Sequence, residues 1–333
     1  MKTLVYANEF GTALTQHLGC TLLNNNSNGD GFVTKVTEIQ DVWDTIICDN
    51  TVAPKTDATI YGYTPLSYRM NNEAGYASVV LEGAGMNLSP EKDLGNSIGL
   101  LVWIVEGEVV GKKLYVQTVD HLMNRDLGAS SPYPTGVIVW QCEDIESRLE
   151  PHLNKLLSDH EDYSGPLCLN LQLTSRGVYL EDVYFGTKPG WFETARELLQ
   201  GDLLTKGFLP SHNVAVGVLA STSPFPIALM SNELVTVNLP KQSLPHLGPL
   251  ELHKRSDLMQ TQGAIGYVTA WGGGQCLEDK IRSARLRVYR TLRNVSAEAL
   301  QYRTDVGSQT AHNHQLLLDA LGTPEPALQT AQG

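Results

Sequence analysis

Three groups of polar residues in the first part of the chain have types and spacing suited to binding a ligand. The stretch Asn28-Gly29-Asp30-Gly31 offers backbone N–H groups that can cradle a phosphate, although its composition is equally typical of a hairpin turn. Glu82 closes the short apolar stretch 78–81, and it either accepts hydrogen bonds from a ligand or faces solvent. Asp120 and His121 are adjacent and either bind an amine or a phosphate or form structural contacts.

A fourth candidate, Glu181, lies in a strand-like stretch and has the chemistry of a metal ligand. Its carboxylate is the kind of oxygen donor that Mg²⁺ prefers. Asp182 follows directly, but side chains alternate along a strand, so the two carboxylates are expected on opposite faces. Val183 offers no donor atom. Glu181 therefore offers one oxygen donor, and residue 183 on the same face of the strand offers none.

The composition is that of a packed protein with an acidic charge balance. The chain has 333 residues, and its 36 Asp and Glu against 24 Lys and Arg give a net charge of −12. Attraction to phosphate backbones needs clustered positive charge, so we expect no general nucleic-acid binding. No stretch is apolar enough to span a membrane, and the first residues lack a signal-peptide core. Five scattered cysteines without a Cys-x-x-Cys pair predict reduced thiols in the cytoplasm.

The elements that must position these residues are mostly strands. Apolar and β-branched runs predict a hairpin over 21–36, a second hairpin that turns at Glu106-Gly107-Glu108, and a pair of strands over 165–183. Apolar residues three and four apart predict helices over 144–157, 191–204, 277–293 and 314–321. The helix over 277–293 has six basic residues, expected in solvent or in ion pairs. The glycine turn before it is either a tight connection or an anion site.

The order of elements in the last third resembles the C-terminal domain of GAR synthetase (phosphoribosylamine–glycine ligase), an ATP-grasp enzyme family of purine biosynthesis. Four segments carry this resemblance: the strand 214–220 with its proline turn, the strand 262–270 ending in Val-Thr-Ala, the following helix, and Tyr302-Arg-Thr-Asp-Val-Gly307. The last segment is similar to a Tyr-Arg-x-Asp-Ile-Gly signature of the family.

The middle of the chain is also similar to that family, and the resemblance implies roles for the candidate residues. Glu82 corresponds to a nucleotide-contacting glutamate, and the glycine loop with Asn28, Gly29 and Gly31 to a phosphate loop. Substrate-binding residues and a metal ligand are implied at five further positions: Asp120, His121, Thr135 and Gly136, and Glu181, respectively.

The departures from the family lie where the chemistry needs charge. The family's separate N-terminal domain is expected to be absent. Leu22 or Asn24 stands where the family's phosphate-binding lysine is expected, and no lysine follows in this hairpin before Lys35. Val183 replaces the asparagine of a magnesium-binding Glu-x-Asn, and Leu122-Met123 replaces a Lys-Arg pair. A triphosphate needs cations and hard oxygen ligands around it. Lys35, Lys55 and Arg69 are the candidates to restore the missing charge.

The resemblance implies an α+β fold of ATP-grasp type in four parts. These are a reduced first lobe (1–75), a second lobe (76–206), a C-terminal α/β domain (207–308), and a short helix with a mobile tail (309–333). Because the helix ending at 204 closes one apolar pattern and the strand from 214 opens another, we expect separate cores for 1–205 and 207–308.

Two functions remain open. One is ligation of a small, glycine-like carboxylate to an amine such as a phosphorylated sugar amine, with ATP and Mg²⁺, through an acyl phosphate. The alternative is a catalytically inactive pseudoenzyme that binds a metabolite or a protein partner. A shortened, remodelled copy of a housekeeping enzyme is the kind of gene that a virus or mobile element carries, and its expected location is then the host cytoplasm.

Overall fold

The computed structural model describes the chain in separate ranges, and the longer ranges lie between residues 97 and 312. These ranges are 3–5, 45–47, 59–61, 97–119, 122–124, 129–141, 153–154, 157–158, 161, 163–174, 177–200, 203–223, 225–226, 234–255, 258–312 and 314–315. The predicted hairpin over 21–36, most of the helix over 144–157 and the tail beyond 315 lie outside them. So do the following candidate residues: Asn28, Gly29, Gly31, Lys35, Lys55, Arg69, Glu82, Asp120 and His121.

Eighteen strands are described, and most of them are short. In chain order they are β1 (Thr3–Val5), β2 (Thr45–Ile47), β3 (Thr59–Tyr61), β4 (Ser97–Val105), β5 (Glu108–Val119), β6 (Leu122–Asn124), β7 (Ala129–Ser130), β8 (Gly136–Gln141), β9 (Gly165–Thr174), β10 (Gly177–Phe185), β11 (Val214–Thr222), β12 (Val235–Asn238), β13 (Leu247–Pro249), β14 (Leu252–Arg255), β15 (Leu258–Thr261), β16 (Ala264–Gly272), β17 (Ser296–Ala297) and β18 (Leu300–Gln301). The predicted hairpin at Glu106-Gly107 and the strand pair over 165–183 are confirmed as β4–β5 and β9–β10.

A nine-stranded antiparallel sheet forms the centre of the described fold. Its order is β10-β9-β4-β5-β8-β11-β16-β13, with β18 added beside β11. The strands β14-β15-β12-β17 form a second antiparallel sheet. Near the start of the chain, β1, β2 and β3 form a small sheet with parallel pairing throughout. Parallel neighbours need long crossover connections, which the sequence between these strands is long enough to supply.

Three α-helices whose bounds are described pack on the large sheet. The helix α1 (Trp191–Ala195) continues into a 3₁₀ turn over Arg196–Leu198, and α2 (Leu203–Lys206) follows. These pack on one face of the sheet, where Trp191 and Phe192 join a core with residues such as Leu101 and Val116. The long helix α3 (Leu277–Leu292) packs on β16 and β11 at the other face. No helix among the described residues is long and apolar enough to cross a membrane.

The prediction of separate cores for 1–205 and 207–308 is wrong. Strand β11 pairs with β8 from Val214 opposite Trp140 to Val218 opposite Gly136, so one sheet runs through residue 206. Both apolar layers also contain residues from the two halves. The reason is that β8 and β11 are buried along almost their whole length, and each completes its hydrogen bonding only beside the other.

The single helix predicted over 191–204 is also wrong, because the chain breaks at Leu199. This residue is extended (φ −85°, ψ 147°) and forms a β-bridge with Pro210. The Leu198 carbonyl accepts hydrogen bonds from the backbone N–H and the hydroxyl of Ser211, at 2.6 and 3.1 Å. These contacts satisfy the end of the first helical segment, and α2 begins at Leu203.

Candidate functional site

A cavity of about 400 Å³ lies where β5 and β8 meet the segment that follows β18. Its walls are the end of β5 (residues 117–119), Ile138 of β8, and residues of the segment 303–310. This volume lies within the range of small-molecule sites, roughly 300–1,000 Å³. The segment 303–307 belongs to the Tyr-Arg-Thr-Asp-Val-Gly signature found in the sequence.

Side chains from α3 hold this wall of the cavity in place. The Tyr289 hydroxyl donates to the Arg303 carbonyl at 3.0 Å, and Arg285 Nη2 donates to the Thr304 carbonyl at 3.2 Å. Burial raises the pKa of Tyr289, so its hydroxyl stays protonated and remains a donor at neutral pH. Val306 is fully buried in the core between these contacts. The cavity wall is therefore attached to α3 at residues 303 and 304.

Arg303 and Asp305 form a bidentate ion pair at the cavity wall. Arg303 Nε and Nη2 lie 2.8 and 2.6 Å from the two carboxylate oxygens of Asp305. The Arg303 side chain is 8% exposed, whereas that of Asp305 is 47% exposed. Two parallel hydrogen bonds fix the plane of the guanidinium. The arginine is thus neutralised and held in one orientation before any ligand arrives.

Two other polar atoms of the cavity are buried without a hydrogen-bond partner among the described residues. They are the hydroxyl of Thr310, a residue that is 1% exposed, and Oε1 of Gln117. A buried donor or acceptor without a partner costs about 1–3 kcal/mol, so native proteins seldom keep one unless it has a role. Both atoms belong to residues that line the cavity, which makes the cavity a candidate binding site.

The cavity adjoins two of the residues that the sequence singled out as substrate-binding. Gly136 pairs with Val119 in the sheet, and a β-carbon at Gly136 would lie 2.5 Å from both methyl groups of Val306. Thr135 is fully buried, and its carbonyl accepts a hydrogen bond from the Leu219 N–H at 3.1 Å. Gly136 therefore lies beside the cavity, whereas the Thr135 side chain offers no exposed surface. Asp120 and His121 follow Val119 directly but lie outside the described residues.

The structure does not bring Glu181 close to Gly136. Glu181 lies in β10 at a register shift, on the outermost strand at one end of the large sheet. Four strand spacings separate β10 from β8, roughly 19 Å along the sheet. A single metal ion cannot bridge that distance, so Glu181 and the cavity do not form one metal site.

The part of the chain that the structure describes does not complete a magnesium site around Glu181. Val183 is half-buried and packs against the main core, so its side chain supplies apolar contact and no oxygen. No group of three His, Cys, Asp or Glu able to hold a metal occurs among the residues that the structure describes. The Glu181 side chain itself lies outside the description, as do those of Leu122 and Met123.

The basic helix predicted over 277–293 is confirmed as α3, but its arginines have different roles. Ile281, Ala284, Val288 and Leu292 form the buried face, as their spacing predicts. Arg285 bonds to the cavity wall, and the Arg287 guanidinium lies 3.9 Å from the Trp271 ring centre. Arg282 pairs with Glu278 at 3.6 Å in solvent.

A second polar cluster, which no sequence motif indicates, lies on the opposite face of the sheet. Glu197 follows α1, and its carboxylate accepts a hydrogen bond from the Thr269 hydroxyl at 2.7 Å and contacts His246 Nδ1 at 3.0 Å. These three residues are far apart in the chain and belong to no motif. Only the sheet order, which places the helical layer of 191–198 over β16, brings them together.

Comparisons with known proteins agree with this architecture. No family model matches the chain. It is 25% identical over 205 residues to the phosphoribosylamine–glycine ligase of Streptomyces coelicolor, a match over 56% of this chain that spans only 47% of that protein. The solved phosphoribosylamine–glycine ligase of Thermotoga maritima superposes with a TM-score of 0.66 at 15% identity, covering 91% of this chain and 99% of that one.

A second solved structure extends the likeness beyond that enzyme. The urea amidolyase of K. lactis superposes with a TM-score of 0.50 at 10% identity, covering 85% of this chain and 18% of that one. The chain is therefore an α+β protein of the ATP-grasp fold. It is similar to phosphoribosylamine–glycine ligase in fold, and in sequence over 56% of its length. Both conclusions confirm what the sequence predicted.

Proposed function

We propose that the chain binds a small molecule on its ATP-grasp sheet and does not ligate it efficiently. The observation that carries this proposal is the packing of Val183. The resemblance to GAR synthetase implies a magnesium-binding asparagine at this position, and here an apolar side chain packs against the core instead. The cavity at the end of β5 has buried polar atoms that a ligand could satisfy. Binding is therefore better supported than catalysis.

The lack of an oxygen ligand at residue 183 determines how strongly we expect a nucleotide with Mg²⁺ to bind. Removing one partner of a buried charged pair costs about 3–5 kcal/mol, which corresponds to a loss of hundreds-fold or more in affinity. The position of Val183 supplies no second oxygen ligand, and the described residues supply no metal cluster. We therefore expect ATP with Mg²⁺ to bind weakly, with a dissociation constant in the millimolar range or above.

The second candidate function is ATP- and Mg²⁺-dependent ligation of a glycine-like carboxylate to an amine. Similarity to the ligases of Streptomyces coelicolor and Thermotoga maritima favours it. The amine would be a phosphorylated sugar amine or a related acceptor. In this case Glu181 would hold the metal and residues next to the cavity would hold the acceptor.

One experiment separates the two functions. The protein is incubated with about 10 mM ATP, Mg²⁺, glycine and a panel of amines, and ADP formation is followed with the Thermotoga maritima ligase as positive control. We expect no ADP above the level seen without protein. Amine-dependent ADP formation, together with a C–N-bonded product detected by mass spectrometry, would establish ligation and overturn the proposal. A low-micromolar, magnesium-dependent dissociation constant for ATP by calorimetry would overturn the weak-binding expectation.

A further inference from the structure

We propose that the cavity beside β5 takes a neutral, hydroxyl-rich molecule of the size of a pentose and rejects its phosphate ester. This inference rests on the proposed small-molecule binding and specifies the class of ligand. It follows from three properties of the cavity wall: its buried polar atoms without a partner, its charge balance, and its mixed polar and apolar surface.

The buried polar atoms define what the ligand must offer. Gln117 Oε1 accepts hydrogen bonds only, so the ligand must present a donor to it. The Thr310 hydroxyl both donates and accepts, and it also has no partner among the described residues. A ligand hydroxyl group satisfies either atom because it is itself both a donor and an acceptor. A carboxylate or phosphate oxygen cannot donate to Gln117.

The charge balance of the wall argues against an anionic ligand. Arg303 and Asp305 are the only charged residues among the described residues that line the cavity. Their side chains neutralise each other through two hydrogen bonds of 2.8 and 2.6 Å. A phosphate group placed here would lose its water and find only the paired Arg303 among the lining cations, and it would approach the Asp305 carboxylate. Arg285, which bonds to the Thr304 carbonyl, does not line the cavity. Burial of an uncompensated charge is strongly unfavourable.

The remaining wall suits the carbon skeleton of a polyhydroxylated ring. Val119 and Ile138 supply apolar surface, and Ser308 adds a hydroxyl near the exposed end. The half-exposed Asp305 carboxylate can accept from a ligand hydroxyl, as such groups do beside an arginine. A volume of about 400 Å³ is large enough for a pentose together with several water molecules.

The test uses two variants that remove the hydrogen-bonding atoms while keeping the side-chain size. Thr310→Val and Gln117→Leu are compared with the natural sequence and with Thr236→Val, the same change at an exposed position of β12. The melting temperature is measured for each protein alone. It is then measured in D-ribose, D-xylose and D-ribose 5-phosphate at equal concentrations, and dissociation constants are confirmed by NMR titration.

We expect the free Thr310→Val and Gln117→Leu proteins to melt at least 2 °C higher than the natural protein, because each loses a buried polar atom without a partner. We expect a pentose to raise the melting temperature of the natural protein and to bind each variant at least tenfold more weakly. Ribose 5-phosphate should bind at least tenfold more weakly than ribose, and Thr236→Val should behave like the natural protein.

Three results would overturn the inference. Stronger binding of the phosphate ester would show an anion site, and the absence of pentose binding would reject the ligand class. Lower melting temperatures for both cavity variants would show that the two polar atoms have partners after all. None of these results changes the outcome of the ATP experiment, so failure of this inference and failure of the proposed function are distinguishable.

Discussion

His246 Nδ1 lies 3.0 Å from Oε1 and 3.2 Å from Oε2 of Glu197, a carboxylate whose side chain is only 7% exposed. The same Oε1 accepts a hydrogen bond from Thr269 of β16. Glu197 therefore connects the helical layer that follows β10 to the last strands of the sheet. This contact crosses the boundary at residue 206 where the sequence predicted two separate cores.

The first prediction concerns the pH dependence of stability. The hydrogen bond to Glu197 raises the pKa of His246, although burial acts in the opposite direction. A raised folded-state pKa stabilises the fold fully at a pH below the unfolded pKa of about 6.5. That contribution is lost as the pH rises through the folded value. Urea unfolding between pH 5.5 and 9 should therefore show a loss of stability in this range that His246→Gln lacks. An identical pH profile for the variant would contradict the prediction.

The second prediction concerns Glu197 itself. Glu197→Gln keeps the shape of the side chain but weakens two charge-assisted hydrogen bonds, to His246 and to Thr269. We expect the free energy of unfolding to fall by about 1–3 kcal/mol, the usual value of bonds to charged groups. Glu278→Gln is the control, because its ion pair with Arg282 is about 70% exposed and contributes little. Equal effects of the two changes would show that Glu197 is not specifically stabilising.

The sequence could predict those parts of the fold that depend on local pattern. Apolar runs bounded by glycine gave β4, β5, β9, β10, β11 and β16, and apolar spacing gave α3 with its buried face. The helix breaks at Leu199 because this residue forms a β-bridge with Pro210, eleven residues further along the chain. The apolar spacing over 191–204 cannot predict such a contact, because it reflects only neighbouring residues. The shared sheet depends on pairing between β8 and β11, which periodicity within each strand cannot report.

The residues of the candidate site also fall into two groups: those that a sequence pattern indicates, and those that only the fold brings together. Gly136 lies in a segment that resembles GAR synthetase, so the sequence indicates it. Its close contact with Val306 explains why a glycine stands at this position. Thr310 and Gln117 belong to no motif, and a single threonine or glutamine is unremarkable in a sequence. They matter because the fold buries their polar atoms around one cavity. Roles of the candidates before residue 97 stay predictions.

The third prediction tests the packing beside the cavity. A β-carbon at Gly136 would lie 2.5 Å from the Val306 methyl groups, which is closer than two non-bonded carbon atoms can approach. Gly136→Ala must therefore displace Val306 and the segment that follows it, at a cost of about 1–3 kcal/mol. Gly273→Ala is a matched control, since its β-carbon would meet Trp271 at an ordinary 3.7 Å. Chemical denaturation measures both, and a Gly136→Ala protein as stable as the control would show that the wall can yield.

The fourth prediction tests whether Val183 is the reason for weak nucleotide binding. Val183→Asn restores an amide oxygen at the position where the resemblance implies a magnesium ligand, and it places that oxygen on the same strand as Glu181. If Glu181 faces a nucleotide site, the affinity for ATP in the presence of Mg²⁺ should rise at least tenfold, and the gain should vanish when the metal is removed with a chelator.

The matched control for this change is Val183→Ala. It removes the same packing against the core and introduces no donor atom, so any effect of lost stability alone appears in both variants. Calorimetric titration of ATP with and without Mg²⁺ measures the affinities, and thermal unfolding verifies that both variants are folded. A metal-dependent gain in Val183→Asn alone would place Glu181 and residue 183 in one metal site. Equal, unchanged affinities in the two variants would mean that residue 183 does not limit nucleotide binding.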